Sequence, residues 1–138
     1  GKAFFAGEEK RVVSCSNADI GVEVSPDYLE GPWVEKIGEM YYLFFAEICR
    51  DETKPVFLGY RTSVAYADSM EGPWEKDPRG QVFFGGHLAV FDGPGERKWF
   101  SYRWEKDNRL RGRLCVDPVT IDAQGRIQAC ETLGGQRQ

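Results

Sequence analysis

Glu30-Gly31-Pro32-Trp33 returns unchanged as Glu71-Gly72-Pro73-Trp74, 41 residues further along the chain. A repeat of that length matches one four-stranded β-propeller blade, a unit that cannot bury its apolar face alone and stacks on its neighbours to do so. The chain is therefore expected to be built from blades. The surroundings of the two copies differ. The first runs into Lys36-Ile37-Gly38-Glu39-Met40-Tyr41-Tyr42-Leu43-Phe44-Phe45-Ala46, and the second follows Tyr60-Arg61-Thr62-Ser63-Val64-Ala65-Tyr66-Ala67-Asp68-Ser69.

Composition agrees with an all-β reading. The 138 residues make one domain, long enough to bury about two-thirds of the surface of the unfolded chain. Aromatic residues are abundant, and the 16 Gly and 7 Pro fall between short apolar runs, which is the rhythm of strands and turns. The net charge is only −4 and the 18 Lys and Arg form no block, so neither a nucleic acid nor an anionic membrane is expected as partner; a neutral or weakly charged ligand fits better. The longest apolar run, Met40 to Ala46, falls far short of the roughly 20 residues that cross a bilayer. The first residues do not have the form of a signal peptide, and the compartment is left open. Cys15, Cys49, Cys115 and Cys130 contain no Cys-x-x-Cys pair, and there is one histidine, so a zinc site of the usual kind is not expected. Free buried thiols are the preferred reading, with one disulfide left open.

Strand and turn signals divide the chain into a lead-in hairpin or partial blade over 1–29, a blade over 30–77, a second blade over 82–128 and a polar tail over 129–138. In the lead-in, 3–6 and 11–15 pair across Gly7-Glu8-Glu9. The first blade is expected to hold strands at 33–36, 40–46, 60–67 and near 74–76. The second is expected to hold 88–91, 98–104, 110–116 and 119–121, closing on Asp122-Ala123-Gln124-Gly125. The two four-stranded sheets should pack face to face. No window shows the 3.6-residue period of a helix.

Three stretches carry a resemblance. Leu29-Glu30-Gly31-Pro32-Trp33 followed by Tyr41-Tyr42-Leu43, then Gly85-Gly86-His87-Leu88-Ala89-Val90-Phe91, then Arg109-Leu110-Arg111-Gly112-Arg113-Leu114-Cys115-Val116-Asp117-Pro118 with Asp122-Ala123-Gln124-Gly125-Arg126, resemble glycoside hydrolase family 43 over about residues 28–127. That family consists of five-bladed β-propeller β-xylosidases and α-L-arabinofuranosidases, and the match is to its later blades. The resemblance implies an all-β, partial propeller of two to three blades and a carbohydrate ligand. It implies that Glu30 occupies the general-acid position, where a carboxyl must stay protonated near neutral pH in a partly desolvated site. It also implies Trp33, Tyr42 and Arg113 as substrate-binding side chains, with Arg111 as runner-up to Arg113, because a guanidinium fork offers fixed donors to sugar hydroxyls. His87 is placed on the propeller axis beside a structural calcium or a water cluster; no metal site is certain.

Each of these residues also has a plainer reading. Glu-Gly-Pro-Trp is a turn leading into a strand, and for Glu71 this is the reading adopted. His87 is equally a surface histidine at a strand start, and the three arginines alternate on one solvated face. Asp68-Ser69 and Asp92-Gly93-Pro94-Gly95 read as turns, and Trp99, Phe100, Tyr102 and Trp104 as packing. Tyr102-Arg103 stands where the family commonly has Tyr-His.

An inverting glycosidase needs a second carboxylate, roughly 6.5–9.5 Å from the acid, to activate water. The resemblance places that base, and an aspartate that tunes the acid, in earlier blades without counterpart here; Asp19 and Asp27 lie upstream of Glu30, but neither is in the family's Asp-Pro context. Three readings follow. The first is a truncated family 43 relative directed at xylosides and arabinosides, with weak or no hydrolysis alone. The second is an active glycosidase completed by self-assembly, and the third is a non-catalytic carbohydrate-binding or interaction module. Open blade faces call for a homo-oligomer or a partner that supplies the missing blades.

Overall fold

The computed structural model describes residues 13, 29–51, 56–104 and 112–128. Seven strands form two antiparallel sheets. The first holds β1 (Leu29–Ile37), β2 (Met40–Asp51), β3 (Val56–Ala67) and β4 (Glu75–Phe84) in the order 1-2-3-4. The second holds β5 (Gly86–Gly93), β6 (Arg97–Trp104) and β7 (Arg113–Pro118) in the order 5-6-7. The described residues contain no helix. The lead-in hairpin, apart from Val13, the turn expected between 98–104 and 110–116, and the tail lie outside the described residues.

β2 is the apolar run Met40–Ala46, and its lack of alternation has a simple cause: both of its faces are buried. Tyr42, Phe44 and Ala46 point one way, towards the second sheet. Leu43, Phe45 and Glu47 point the other way, where Leu43, Phe45 and Ala65 cluster with Val13, Leu29 and Trp74. The main core lies between the sheets. Tyr42, Phe44, Val64, Tyr66 and Val82 come from the first sheet, and Leu88, Val90, Phe100, Tyr102 and Cys115 from the second, with Ile127 closing one side. Phe44 and Phe100 meet edge to face, their centroids 5.3 Å apart, and both are fully buried. The aromatic run on β6 is thus packing: Phe100 and Tyr102 are core, and Trp99 and Trp104 are partly buried.

Two expected elements differ from what forms. The outer strand expected near 74–76 is the ten-residue β4, reaching Phe84. Asp77-Pro78-Arg79-Gly80 has turn composition, yet β4 is an edge strand, where the missing N–H of a proline breaks no ladder bond. The irregularity is absorbed in the register, which jumps from Ser63↔Gln81 to Ala65↔Lys76. The second sheet has three hydrogen-bonded strands, not four. Pro118 ends β7, and beyond it Ile121 makes only an isolated bridge to Ile127, across a turn in which the Asp122 carboxylate accepts from the backbone N–H groups of Gln124 and Arg126.

The second Glu-Gly-Pro-Trp is a turn, as expected. Gly72 N–H donates to the Ser69 carbonyl at 3.0 Å, and the Trp74 indole donates to the Met70 carbonyl at 3.2 Å. Cys115 is buried and free, and burial pushes its thiol pKa up. No helix among the described residues is long and apolar enough to cross a membrane.

Two polar networks stitch β4 to its neighbours. On the far face of the first sheet, Lys76 Nζ lies 3.1 Å from Glu47 Oε1 with both side chains buried, and Ser63 Oγ donates to Glu47 Oε2 at 2.6 Å. Towards the second sheet, Asp77 accepts from the Tyr66 hydroxyl (2.7 Å), from Arg79 N and Nε (both 2.9 Å) and from Arg79 Nη2 (2.6 Å). Arg79 Nη2 also reaches the Ile127 carbonyl at 2.6 Å, tying the chain after β7 to the first sheet.

Burial alone would raise the Asp77 carboxyl, but the Arg79 and Tyr66 bonds outweigh it and hold the pKa at about 2, below the ordinary 3.8. A depressed carboxyl stabilises the fold fully above its unfolded value and loses that contribution as pH falls towards the folded value. Asp77→Asn is therefore expected to lower the unfolding free energy by on the order of 2 kcal/mol at neutral pH. The gap to the native chain should close between about pH 4 and pH 2 in urea titrations. A gap that stays constant over that range would show that the Asp77 charge contributes nothing.

Candidate active site

Glu30 reaches the second sheet because β1 contains one residue too many. Glu30 pairs with Ala46 and Trp33 with Phe44, so three steps on β1 oppose two on β2, and Gly31-Pro32 forms a bulge. In a regular strand Glu30 and Trp33 would point to opposite faces; the inserted residue turns them to the same face, the one that looks at the second sheet. Both residues of the bulge suit it. Gly31 adopts φ 59°, and Pro32 has no N–H to lose from the ladder.

A second bulge stands opposite. On β5, Gly86 pairs with Arg103 and Ala89 with Ser101, again three steps against two, and His87 takes a left-handed φ of 52°. His87 Nε2 comes to 3.3 Å from Glu30 Oε1. The two bulges touch closely: a Cβ on Gly31 would meet His87 Cα at 3.3 Å and Cδ2 at 3.4 Å. The Glu30 side chain is about three-quarters buried and its Oε1 is shielded from solvent, while His87 is half exposed. Residues 57 positions apart are thus brought together at the start of the two leading strands.

The other expected site residues do not join them. Trp33 lies further along β1 and is 36% exposed, its indole N–H donating to Glu35 Oε2 at 3.3 Å. Glu35 is held in turn by Lys98 at 2.8 Å, and Lys98 by Asp92 at 2.9 Å, an ion-pair chain that the sequence reading missed. Tyr42 sits four residues along β2 from Ala46, about 13 Å from the Glu30 row at strand rise. It is 2% exposed, lies among Phe44 and Tyr66, and gives its hydroxyl proton to the Gly125 carbonyl at 2.9 Å. Burial raises its pKa. Its position is that of a core residue, not of a wall around Glu30. Arg113 begins the edge strand β7, exposed, two strands from β5. Arg111, Asp19 and Asp27 lie outside the described residues.

Among the described residues no group of three or more His, Cys, Asp and Glu side chains is placed to hold a metal ion. The partner of His87 shown by the geometry is Glu30. Chemically, a largely buried carboxyl beside an imidazole can hold and pass on one proton at a site open to solvent on the histidine side.

Two stacked antiparallel sheets without a helix among the described residues, each led by a strand with a bulge near its start, are consistent with neighbouring blades of a β-propeller. The model of glycosyl hydrolases family 43 matches residues 6–127, and the chain belongs to that family. A curated relative, the β-D-galactofuranosidase xynD of Aspergillus niger, is 29% identical over 117 residues, which is 77% of this chain but 33% of that enzyme. Among solved structures, an exo-1,5-α-L-arabinanase from a bovine ruminal metagenomic library superposes with a TM-score of 0.62 at 20% identity, covering 88% of this chain and 44% of its own. An endo-1,4-β-xylanase of Bacteroides thetaiotaomicron gives 0.57 at 20% identity, with 73% and 37% covered. The α-L-arabinanase of Cellvibrio cellulosa, solved with arabinohexaose, gives 0.57 at 19%, with 72% and 36% covered. The chain spans about a third of the curated relative and less than half of each of these structures.

The close approach of the bulges makes a testable demand on Gly31. Gly31→Ala should cost about 2 kcal/mol or more in urea unfolding, from the left-handed φ together with the pressure on His87. Gly38→Ala, at φ 62° with nothing within 4 Å of the added carbon, should cost about 1 kcal/mol. Equal costs would mean that the contact with His87 exerts no pressure.

Proposed function

We propose that this chain carries the general-acid part of a family 43 glycosidase site directed at pentose glycans, xylosides and arabinosides, and that these sheets alone hydrolyse them weakly or not at all. The observation that supports it is Glu30, turned by the Gly31-Pro32 bulge onto the face that meets His87 and largely withdrawn from water. In this reading Glu30 protonates the glycosidic oxygen as the bond breaks. A catalytic water needs a second carboxylate across the sugar, which the resemblance assigns to blades that this chain does not match. The arabinanase and xylanase likenesses favour pentose glycans; the galactofuranosidase likeness makes a hexofuranoside the second choice.

Aryl β-xylosides and α-L-arabinofuranosides should be turned over by the chain alone far below the ordinary range of roughly 1–10³ per second. General acid catalysis by itself is worth typically 10²- to 10⁴-fold. Turnover within the ordinary range, abolished by Glu30→Gln, would show a complete site and overturn the weak-hydrolysis reading. Weak turnover left unchanged by Glu30→Gln would remove the acid from Glu30.

One observation favours completion by further blades. The outer face of the second sheet bears Phe91 (40% exposed), Val116 (46%) and Leu114 (81%), which the strand register sets on one side, away from the core. Such a face fits another blade, from a second copy or from a partner. Light scattering should give a mass above the 15.7 kDa of one chain, and Leu114→Lys with Val116→Lys should return it to that value. A single-chain mass at micromolar concentration would sink the association.

A further inference from the structure

We propose that Thr62 is the positioning residue of the Glu30–His87 pair, acting through the backbone of Gly85. The register places Glu30, Ala46 and Thr62 in one row across β1, β2 and β3, all on the face that looks at the second sheet. Thr62 is fully buried, and its Oγ1 donates to the Gly85 carbonyl at 2.9 Å. Gly85 is the single residue between β4 and β5, and His87 follows two positions later. The start of β5 therefore crosses the row, anchored over Thr62 at one end and meeting Glu30 at the other, with the small side chain of Ala46 between them.

Gly85 is closely hemmed in. A Cβ there would lie 2.6 Å from the Arg103 carbonyl and 2.8 Å from the Tyr102 ring, so the second sheet presses on Gly85 from its other side. Its φ of 111° belongs to glycine alone. The Thr62 hydroxyl donates to this carbonyl and so helps to set its direction, and a rotation of the peptide after Gly85 swings the His87 bulge. The loss of that hydroxyl takes a buried bond from the Gly85 carbonyl, and a shift of that peptide is carried to His87. The inference deepens the reading of Glu30 as the acid, but its test needs no glycan.

His87 is the one histidine of the chain, so its ring resonances identify themselves in a nuclear magnetic resonance spectrum. In the native chain the His87 ring protons should show a nuclear Overhauser contact with the Glu30 γ-methylene. Thr62→Val should lose at least half of that intensity while the Phe44–Phe100 ring contact is unchanged, and Thr62→Ser, which keeps the hydroxyl, should restore it. An undiminished His87–Glu30 contact in folded Thr62→Val, or a loss as large in Thr62→Ser, would overturn the proposal. If Thr62→Val fails to fold, the native chain decides. A Thr62 hydroxyl proton resolved from water supports the anchoring bond, and one averaged with water refutes it. Failure here leaves the acid role of Glu30 standing, whereas the Glu30→Gln assay tests that role alone.

Discussion

Two sheets that share no ladder hydrogen bonds are held by the apolar layer between them, and every other feature of the site is referred to that layer. Phe44 and Phe100 meet at its centre, with Tyr42, Tyr66 and Tyr102 around them. Each tyrosine is turned so that its hydroxyl leaves the apolar layer with a partner: Tyr42 on the Gly125 carbonyl, Tyr66 on Asp77 and Tyr102 on Asp117 at 2.5 Å. A buried hydroxyl without a partner would take back roughly 1–3 kcal/mol of what its ring contributes. The polar ends of the core residues therefore fix the spacing and slide of the sheets, and with them the distance between β1 and β5.

Regular strands packed in this way would offer no acid to a ligand. The alternation that fills the core sends every second residue inward, and an inward glutamate in the middle of the layer would have to be paired, as Glu47 is with Lys76 on the other face. The site escapes this by departing from regularity at its rim. One extra residue on β1 and one on β5 reset the phase of each strand just before the core begins, so Glu30 and His87 face each other while the residues beyond them return to core alternation. The cost is borne by a few backbone positions: Gly31, Gly85 and the left-handed His87.

Most of the architecture was legible because it follows from chain-local signals. The 41-residue repeat announced blades, the unbroken run Met40–Ala46 is what a strand buried on both faces looks like, and Gly38-Glu39, between the strands expected at 33–36 and 40–46, closes the first hairpin. What was not legible depends on partners distant in sequence. β4 continues through Asp77-Pro78-Arg79-Gly80 because Tyr66 and the Ile127 carbonyl engage Asp77 and Arg79, and no local pattern reports that. Tyr42 and Trp33 belong to a motif-bearing stretch, yet strand direction puts Tyr42 into the core and leaves Trp33 at the rim. The meeting of Glu30 with His87 was foreseeable from resemblance only, and Thr62, one hydroxyl in an alternating strand, had no signal at all.

The two sheets are not equivalent, and the difference bears on how the site is completed. In the first sheet β2 is buried on both faces, and on the far side Lys76 both pairs with the buried Glu47 and lies over the Phe45 ring, 5.2 Å from its centroid. The second is buried on one face, and on the other it shows Phe91, Leu114 and Val116 to solvent. A stack that ends on such a face is one in which the next blade adds apolar contact without undoing any existing contact. The face of the second sheet that bears Phe91, Leu114 and Val116 is thus the one on which a further layer would gain apolar contact, which is what the association proposed above requires.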